Sequence, residues 1–404
     1  MGNSKPVVNY IRNMADVEQT LQKLMEKILD EINYKPRETK IKAVTSDGAN
    51  FTSALFLVDV TSPNRDDLKL FAKVACVGEK MRSKMNADWL YGTERFVYTQ
   101  LIKIYKDIEN EMNVPDEHRF RFPKLYGYSA ETGEETVVME NLVESGYGPF
   151  NRMKSLDWAQ ASACIENLAK FHALSFAFSK HYPEEFEKLT VDLKYRISSE
   201  GLDVETKELW HKMIGNSLAA IDKDHHAPII KILEGCKDDW TKYNAPIGQP
   251  VLVHGDYRQS NLLFRKQGDV VDVISIDYQT VYAGTPVCDI IYFIVLSTDE
   301  EFRKQYFDEL LAHYYTKLEE ALKRLSVDPS EVYPRDKYNS DIKKILPFAV
   351  VLGATVLPLM TAESENVPQV GGDHDINDFI LTPNELCAQR FRGIVNDCIK
   401  WGVL

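Results

Sequence analysis

Two short stretches in the second half of the chain combine residue types that can carry chemistry. The first is His254-Gly255-Asp256, which follows an apolar run and leads to Asn261, five residues after Asp256. The second is Asp277, which follows another apolar run. A carboxylate can orient an attacking hydroxyl and accept its proton, and carboxylate and amide oxygens are ligands that Mg²⁺ prefers. We therefore predict Asp256 as a catalytic residue of phosphoryl transfer, with Asn261 and Asp277 as metal ligands.

The spacing of these residues supports that interpretation. The interval from Asp256 to Asn261 is that of the H-R-D-x-x-x-x-N loop of phosphotransferring kinases, and Asp277 stands where the Asp of their D-F-G motif would be. A hairpin predicted between the two stretches would return Asp277 to the side of Asn261. Taken singly, His254-Gly255-Asp256 could be a strand-end turn and Asn261 a loop cap. The joint agreement in spacing, order and strand context favours phosphoryl transfer.

A lysine and a glutamate in the first half of the chain are predicted to complete this centre. Lys73 lies in a predicted strand, at the position of the kinase lysine that grips the α- and β-phosphates. Glu94 lies on the apolar face of a predicted helix, where a carboxylate needs a partner. We predict that the two side chains pair and act as catalytic residues. The alternatives are a solvated Lys73 and a Glu94 that pairs with Arg12 or Arg95.

The nucleotide is predicted to contact two further stretches. A turn-rich link before the second strand could cover the phosphates through backbone N–H groups. A short segment after a later strand would be the hinge whose backbone hydrogen-bonds adenine. The predicted nucleotide-binding residues are Asn50, Ser53, Lys73, Met139, Glu140 and Leu142.

Hydrophobic periodicity predicts a β-rich piece followed by an α-rich piece. Predicted strands lie at 40–45, 53–60, 69–74 and 251–253, with a hairpin at 261–265 and 270–276. Predicted helices lie at 13–33, 86–108, 157–178, 203–222, 227–245, 299–325 and 338–362. Such segregation predicts an α+β fold rather than an alternating doubly wound sheet. We place a nucleotide-binding lobe at 1–141 and a catalytic and substrate-binding lobe at 142–404.

The residues after Asp277 narrow the class of substrate. Only eleven residues separate Asp277 from Asp289, and no A-P-E motif follows, so a long activation loop for peptide recognition has no room. A small-molecule acceptor is favoured. We expect Asp289 to brace the catalytic loop by accepting backbone N–H bonds, and His172, on an apolar helix face, to be a core histidine.

Composition argues against several other classes of protein. Hydrophobic residues make up 44% of the 404 residues, and this apolar content disfavours disorder. The net charge of −13 disfavours binding to nucleic-acid phosphates. The six cysteines form no CxxC pair, which predicts reduced thiols rather than a disulfide or zinc framework. The N-terminus lacks a hydrophobic signal core, and the apolar run 348–360 is shorter than the roughly 20 residues that span a bilayer. We expect a soluble cytoplasmic protein without nucleic-acid or membrane partners.

The pattern HGDxxxxN…hDxQ…D resembles the aminoglycoside phosphotransferase and choline kinase group. Within that group the chain most resembles the ecdysteroid kinase-like family. The resemblance spans roughly residues 45–300. The matching pieces are 48–53, Lys73, 92–98, 138–142, 168–175, 254–256, 261–264 and 276–279.

This resemblance implies a two-lobed protein-kinase-like fold that uses ATP and Mg²⁺. It implies phosphorylation of an alcohol on a small lipophilic molecule, such as an ecdysteroid or a hydroxylated or glycosylated xenobiotic. Arg258 stands where the family usually has Trp, and Ala49 where it often has Asp. Arg258 could stabilise charge near the transferring phosphate or pair with a neighbouring acid.

Two other functions remain open from the sequence. One keeps the enzyme but makes the acceptor a cationic amine alcohol, such as choline or an aminoglycoside, which the acidic charge balance permits. The other is a catalytically silent pseudokinase that binds a small ligand or a partner protein.

Overall fold

The computed structural model describes residues 13–45, 52–194, 204–236, 240–367, 378 and 380–404. Its strands are β1 (Glu38–Val44), β2 (Ser53–Ser62), β3 (Arg65–Ala75), β4 (Leu125–Ser129), β5 (Thr136–Glu140), β6 (Gly148–Pro149), β7 (Val251–Val253), β8 (Leu262–Gln267), β9 (Val270–Ser275) and β10 (Tyr282–Gly284). Its α-helices are α1 (Met14–Glu31), α2 (Glu79–Lys84), α3 (Ala87–Phe96), α4 (Ile102–Glu111), α5 (Trp158–His181), α6 (Pro183–Asp192), α7 (Val204–Leu218), α8 (His226–Glu234), α9 (Pro286–Ser297), α10 (Glu300–Arg324), α11 (Pro329–Val332), α12 (Arg335–Ile345), α13 (Phe348–Thr355), α14 (Leu357–Thr361) and α15 (Glu385–Lys400).

A five-stranded antiparallel sheet, in the order β1-β2-β3-β5-β4, forms the first lobe. Strand β3 is central, and its Lys73 is paired with Leu55 on one side and Val137 on the other. One face of the sheet is buried against α1, whose Leu21 and Ile28 belong to the same core cluster as the sheet residues. The predicted helix at 13–33 and the first three predicted strands are confirmed, with ends that differ by a few residues.

The predicted helix at 86–108 is confirmed as a continuous helical stretch from Ala87 to Glu111. A π-helical turn at Val97–Leu101 joins α3 to α4. π turns inside helices are frequent at functional sites, and this one begins three residues after Glu94. Glu94, which is buried, therefore lies in the last turn of α3 before the π-helical turn.

The second lobe is mainly helical and has its core around α5, α9 and α10. The predicted helices at 157–178 and 299–325 are confirmed as α5 and α10. Helix α5 begins at a capping box in which Asp157 and Gln160 exchange side-chain to backbone hydrogen bonds.

Two helix predictions in the second lobe are wrong in extent. The helix predicted at 227–245 ends at Glu234, before a glycine, a residue that weakens a helix. The helix predicted at 338–362 is divided into α12, α13 and α14. The divisions fall near Pro347 and Pro358, because proline cannot donate the backbone hydrogen bond that a continuous helix needs.

The second lobe also contains a hairpin and a short two-stranded ladder. Strands β8 and β9 pair through a two-residue turn at Gly268-Asp269, and β7 pairs with β10. One more backbone hydrogen bond, from Ile276 N to Asn261 O at 2.9 Å, continues the hairpin ladder. This bond brings the residue before Asp277 against Asn261.

These features confirm the predicted α+β organisation, a two-lobed protein-kinase-like fold with a β-rich first lobe and a mainly helical second lobe. Strand β5 ends at Glu140, and a 3₁₀ turn at Leu142–Ser145 follows it. The boundary between 141 and 142 stays a prediction that agrees with this change of structure. Among the described residues, no helix combines the length and apolar character needed to cross a bilayer.

Candidate active site

The loop after β7 turns sharply at Gly255. Its φ of +81° is in the left-handed region, which costs other L-residues about 1–2 kcal/mol. A Cβ at this position would lie 2.3 Å from the carbonyl oxygen of Thr280. The hydroxyl of Thr280 donates a 3.0 Å hydrogen bond to His254 O, so the two strand ends are held together. Glycine is therefore required where the chain bends into Asp256.

Asp289, at the start of α9, fixes the backbone of this loop. Its carboxylate accepts hydrogen bonds from His254 N at 2.6 Å and Gly255 N at 2.9 Å, and it is 1% exposed. His172 Nε2 lies 3.1 Å from the same carboxylate, and His172 Nδ1 lies 2.8 Å from the hydroxyl of Tyr314. The predicted bracing contacts of Asp289 are present, and His172 is a fully buried residue with partners at both ring nitrogens.

The carboxylate of Asp256 receives three side-chain donors. Its Oδ1 accepts from Arg258 Nε at 2.8 Å and from the hydroxyl of Tyr292 at 2.7 Å, and its Oδ2 accepts from Asn261 Nδ2 at 2.8 Å. Burial opposes ionisation, but the Arg258 guanidinium and the Tyr292 hydrogen bond outweigh it and lower the pKa of Asp256 below its ordinary value. Asp256 is therefore held as an anion.

Asn261 is oriented by both its side chain and its backbone. Its Nδ2 also donates to Asp256 O at 2.9 Å, and its backbone N–H donates to Arg258 O at 2.8 Å. Because Nδ2 makes both side-chain bonds, the amide oxygen Oδ1 is the atom of Asn261 that could serve a cation. The residue is 4% exposed, so this orientation is fixed in a packed setting.

The predicted contact between Lys73 and Glu94 is present and includes a third residue. Lys73 Nζ lies 3.1 Å from both carboxylate oxygens of Glu94 and 2.5 Å from Asp277 Oδ1. Burial favours the neutral amine, but the two carboxylates outweigh it and raise the pKa of Lys73 above its ordinary value. Burial raises the pKa of Glu94 to about 7 even though Lys73 opposes the shift. Lys73 is thus a protonated bridge between the lobes.

Asp277 has an unusual backbone conformation. Its φ of +65° and ψ of +63° place a non-glycine residue in the left-handed region, at a cost of about 1–3 kcal/mol. Such strain clusters at functional sites. The 3₁₀ turn that follows carries Gln279, whose Oε1 lies 3.4 Å from both Lys73 Nζ and Thr52 Oγ1. The turn after Asp277 therefore contacts the start of β2.

The predicted hinge residues lie at and after the end of β5. The side chain of Met139 faces the hydroxyl of Tyr98 at 3.8 Å. Glu140 is tied to Lys124, with Glu140 N to Lys124 O at 2.9 Å and Lys124 N to Glu140 Oε1 at 2.7 Å. Leu142 is buried and opens the 3₁₀ turn. The segment is well anchored, and its contact with adenine remains a prediction.

The predicted phosphate-covering turn is described only at its end. Asn50 lies outside the described residues. Ser53 is the first residue of β2 and is 1% exposed, with its hydroxyl 3.4 Å from that of Thr52. The hydroxyl of Tyr91 donates to Thr52 O at 2.5 Å, so α3 contacts the residue that precedes β2.

Sequence reasoning missed two contacts of the site. Tyr292 was not predicted, although it follows Asp289 by three residues and so shares its helix face, which was a usable signal. Gln279 belongs to the motif at 276–279, and its contacts with Lys73 and Thr52 were not predicted. For Arg258 the sequence left two alternatives, and the structure shows a pair with Asp256.

The residues present fit a magnesium ion by the chemistry of their donors. Asp277 offers a carboxylate and Asn261 an amide oxygen, both hard oxygen ligands of the kind that Mg²⁺ takes together with phosphate oxygens. The hairpin sets these two residues side by side through the Ile276–Asn261 backbone bond. Asn261 and Asp277 are therefore the residues that would hold such an ion.

The chain is similar to several known proteins. Residues 47–327 match the ecdysteroid kinase-like family. An uncharacterized kinase-like protein of Caenorhabditis elegans is 24% identical over 321 residues, which are 75% of this chain and 80% of that protein. A Plasmodium vivax ethanolamine kinase covers 80% of this chain and 77% of its own, with 14% identity and a TM-score of 0.42. The structure of a GDP complex of an aminoglycoside 2′-phosphotransferase matches over 86% of this chain and 95% of its own, with 12% identity and a TM-score of 0.44. Since the family match extends over more than half of the residues and includes the whole cluster described above, the chain belongs to the ecdysteroid kinase-like family.

Proposed function

We propose that this protein transfers the γ-phosphate of ATP to a hydroxyl of a small lipophilic acceptor, such as an ecdysteroid or a hydroxylated or glycosylated xenobiotic. One observation carries the proposal. Lys73 of the first lobe bonds directly to Asp277, while Asn261 of the second lobe bonds to Asp256 and, through its backbone, to the residue before Asp277. The four residues thus form one hydrogen-bonded cluster where the lobes meet.

Asp256 is the residue proposed to receive the acceptor. Phosphoryl transfer passes through a loose transition state, so catalysis depends mainly on positioning and electrostatic stabilisation. A carboxylate held as an anion by Arg258, Tyr292 and Asn261 can align the attacking hydroxyl and take its proton as the new O–P bond forms.

Lys73 and Glu94 are proposed to position the nucleotide. Lys73 is protonated and lies at the centre of the sheet, so it can pair with the α- and β-phosphates. Glu94 lies on α3, and its carboxylate is 3.1 Å from Lys73 Nζ. This contact fixes the position of the Lys73 ammonium. The segment Met139–Leu142 would hydrogen-bond adenine through its backbone, with Asn50 and Ser53 near the phosphates.

Asn261 and Asp277 are the residues that would hold Mg²⁺. When bound, the ion neutralises charge on the β- and γ-phosphate oxygens. Lys73 Nζ lies 2.5 Å from Asp277 Oδ1, so this carboxylate also pairs with the cation of the first lobe.

The charge of the site supports an uncharged acceptor. Arg258 is 5% exposed and offsets the charge of Asp256 at 2.8 Å. The position where the acceptor hydroxyl would bind therefore carries little net negative charge. A cationic amine alcohol such as choline or an aminoglycoside would bind better at a site with more negative charge. Membership of the ecdysteroid kinase-like family points in the same direction.

The test is a radiolabelled ATP assay on a panel of ecdysone, a phenolic glycoside, choline and an aminoglycoside. Asp256→Ala and Asp277→Ala should each lower the transfer rate by at least about 100-fold. Asp308→Ala, at an exposed position on α10, is the matched control and should keep the natural rate. Near-natural rates in both site variants would refute the proposed roles.

Thermal unfolding separates the enzyme from a silent pseudokinase. A protein that binds Mg²⁺ and ATP in its folded state unfolds at a higher temperature when both are added. Stabilisation without transfer to any acceptor, in a protein with natural Asp256, would favour the binding module. Transfer to choline but not to ecdysone would keep the enzyme and refute the lipophilic acceptor.

A further inference from the structure

Among the described residues, three side chains donate hydrogen bonds to the carboxylate of Asp256. A carboxylate offers about four lone-pair positions, two on each oxygen. Arg258 Nε at 2.8 Å and the Tyr292 hydroxyl at 2.7 Å take both positions of Oδ1. On Oδ2, Asn261 Nδ2 at 2.8 Å takes one position. Within the part of the chain that the structure describes, the second position of Oδ2 has no donor and could serve an acceptor hydroxyl.

The two donors to Oδ1 come from rigid parts of the molecule. Arg258 is 5% exposed and precedes the 3₁₀ turn that ends at Asn261. Tyr292 lies in α9, one helical turn after Asp289, so the same helix that holds the loop backbone also reaches its catalytic side chain. The neighbours of Tyr292 in α9 are fully buried, among them Ile291 and Phe293. The backbone that carries the Tyr292 side chain is therefore held in a packed helix.

We propose that Arg258 and Tyr292 are positioning residues that clamp Oδ1 of Asp256 and so present Oδ2, beside Asn261, to the acceptor hydroxyl. This inference rests on the proposed function. In the step it serves, the acceptor O–H bond breaks and its proton passes to Oδ2. The acceptor oxygen forms a bond to the γ-phosphorus, and the bond from that phosphorus to the bridging oxygen breaks to release ADP.

The clamp makes a specific kinetic prediction for Tyr292→Phe. This change removes one hydrogen bond to a charged group and keeps the ring, so kcat should fall about 10-fold while KM for ATP stays within about twofold. Tyr338→Phe is the matched control. Tyr338 is fully buried in the second lobe, and its hydroxyl donates to Leu311 O at 2.9 Å, a backbone acceptor outside the loop that carries Asp256. It should lose stability without a change in kcat.

A double-mutant cycle with Asp256→Asn distinguishes positioning from general structural support. If Tyr292 acts through Asp256, then Tyr292→Phe should leave the residual single-turnover rate of Asp256→Asn unchanged within about twofold. Arg258→Gln should behave in the same way if it folds, and Tyr292→Phe carries the test if it does not. Equal 10-fold losses in both backgrounds, or a natural kcat in Tyr292→Phe, would overturn the clamp and leave the proposed function in place. A natural rate in Asp256→Asn would instead overturn the proposed function and the clamp with it.

Discussion

Replacing Gly255 with alanine tests the geometry of the loop after β7, which carries Asp256, against a matched position. Gly255 has φ +81°, and an added Cβ would lie 2.3 Å from Thr280 O and 3.1 Å from the ring of Tyr282. Gly268, in the β8–β9 turn, has φ +62° and no atom within 4 Å of an added Cβ. Gly255→Ala and Gly268→Ala therefore share the backbone cost and differ in the steric overlap.

The magnitudes follow from these two contributions. A left-handed conformation costs alanine about 1–2 kcal/mol of unfolding free energy at either position. Overlap with packed atoms adds about 1–3 kcal/mol, and at Gly255 the closest atom is backbone, which cannot rotate away. We expect Gly255→Ala to lose about 2–5 kcal/mol and Gly268→Ala about 1–2 kcal/mol. The difference between them isolates the overlap.

Urea unfolding of both variants measures the stability difference, and initial rates of phosphoryl transfer measure the effect on the site. Relief of the overlap must move the loop, and a displacement of about 1 Å at Asp256 would lower the rate by about 100-fold. Gly268→Ala should keep the natural rate. Equal losses of unfolding free energy, or a natural transfer rate in Gly255→Ala, would refute the account of the loop.

Two further predictions concern buried carboxylates. Asp289→Asn should lower the unfolding free energy by about 1.5–3 kcal/mol, because a buried backbone N–H loses its anionic acceptor. Asp299→Asn, at a helix N-cap where asparagine accepts equally well, should change it by less than about 0.5 kcal/mol; equal losses in urea unfolding would contradict the bracing role. Burial raises the pKa of Glu109 from 4.5 to about 7, so the folded state binds its proton more tightly, and stability should fall by up to about 3 kcal/mol as the pH rises from 5 to 8. Glu109→Gln keeps an acceptor for the Phe120 N–H at 2.8 Å and does not titrate, so its advantage in urea unfolding should grow over that pH range rather than stay constant.

Local spacing was sufficient to predict the arrangement of the loop that carries Asp256 and Asn261. Asp256 and Asn261 are separated by one short turn, and the hairpin that follows has a turn signal at Gly268 that sets its register. Chain reversal at that turn returns the backbone to Asn261, where Ile276 N donates at 2.9 Å. The convergence of these side chains needs no information from distant parts of the chain.

One long-range contact was predictable because a buried charge needs a partner. Glu94 on an apolar helix face implied a cation, and Lys73 is that cation at 3.1 Å. The same rule does not say how many partners a charge will have. Asp277 was predicted only as a metal ligand, and its direct bond to Lys73 was not foreseen.

The ends of the later helices were not predictable from periodicity alone. Apolar residues continue through 338–362, so the pattern favours one helix, yet Pro347 and Pro358 divide it. Each proline is a local signal in the sequence that outweighs the apolar pattern. The contact of Tyr292 with Asp256 is different. Its spacing from Asp289 indicates a shared helix face, but its distance from Asp256 depends on how α9 packs against the loop.

The contacts of Asp256 indicate what kind of catalyst it can be. Three donors stabilise its charged form, which makes the carboxylate a weaker proton acceptor than a free aspartate. In a loose transition state the attacking hydroxyl needs little deprotonation, so a weak base that is accurately placed loses little. Orientation is then the larger part of its contribution, and the clamp from Arg258 and Tyr292 favours orientation at the expense of basicity. The same contacts that lower the pKa of Asp256 thus suit it to the reaction we propose.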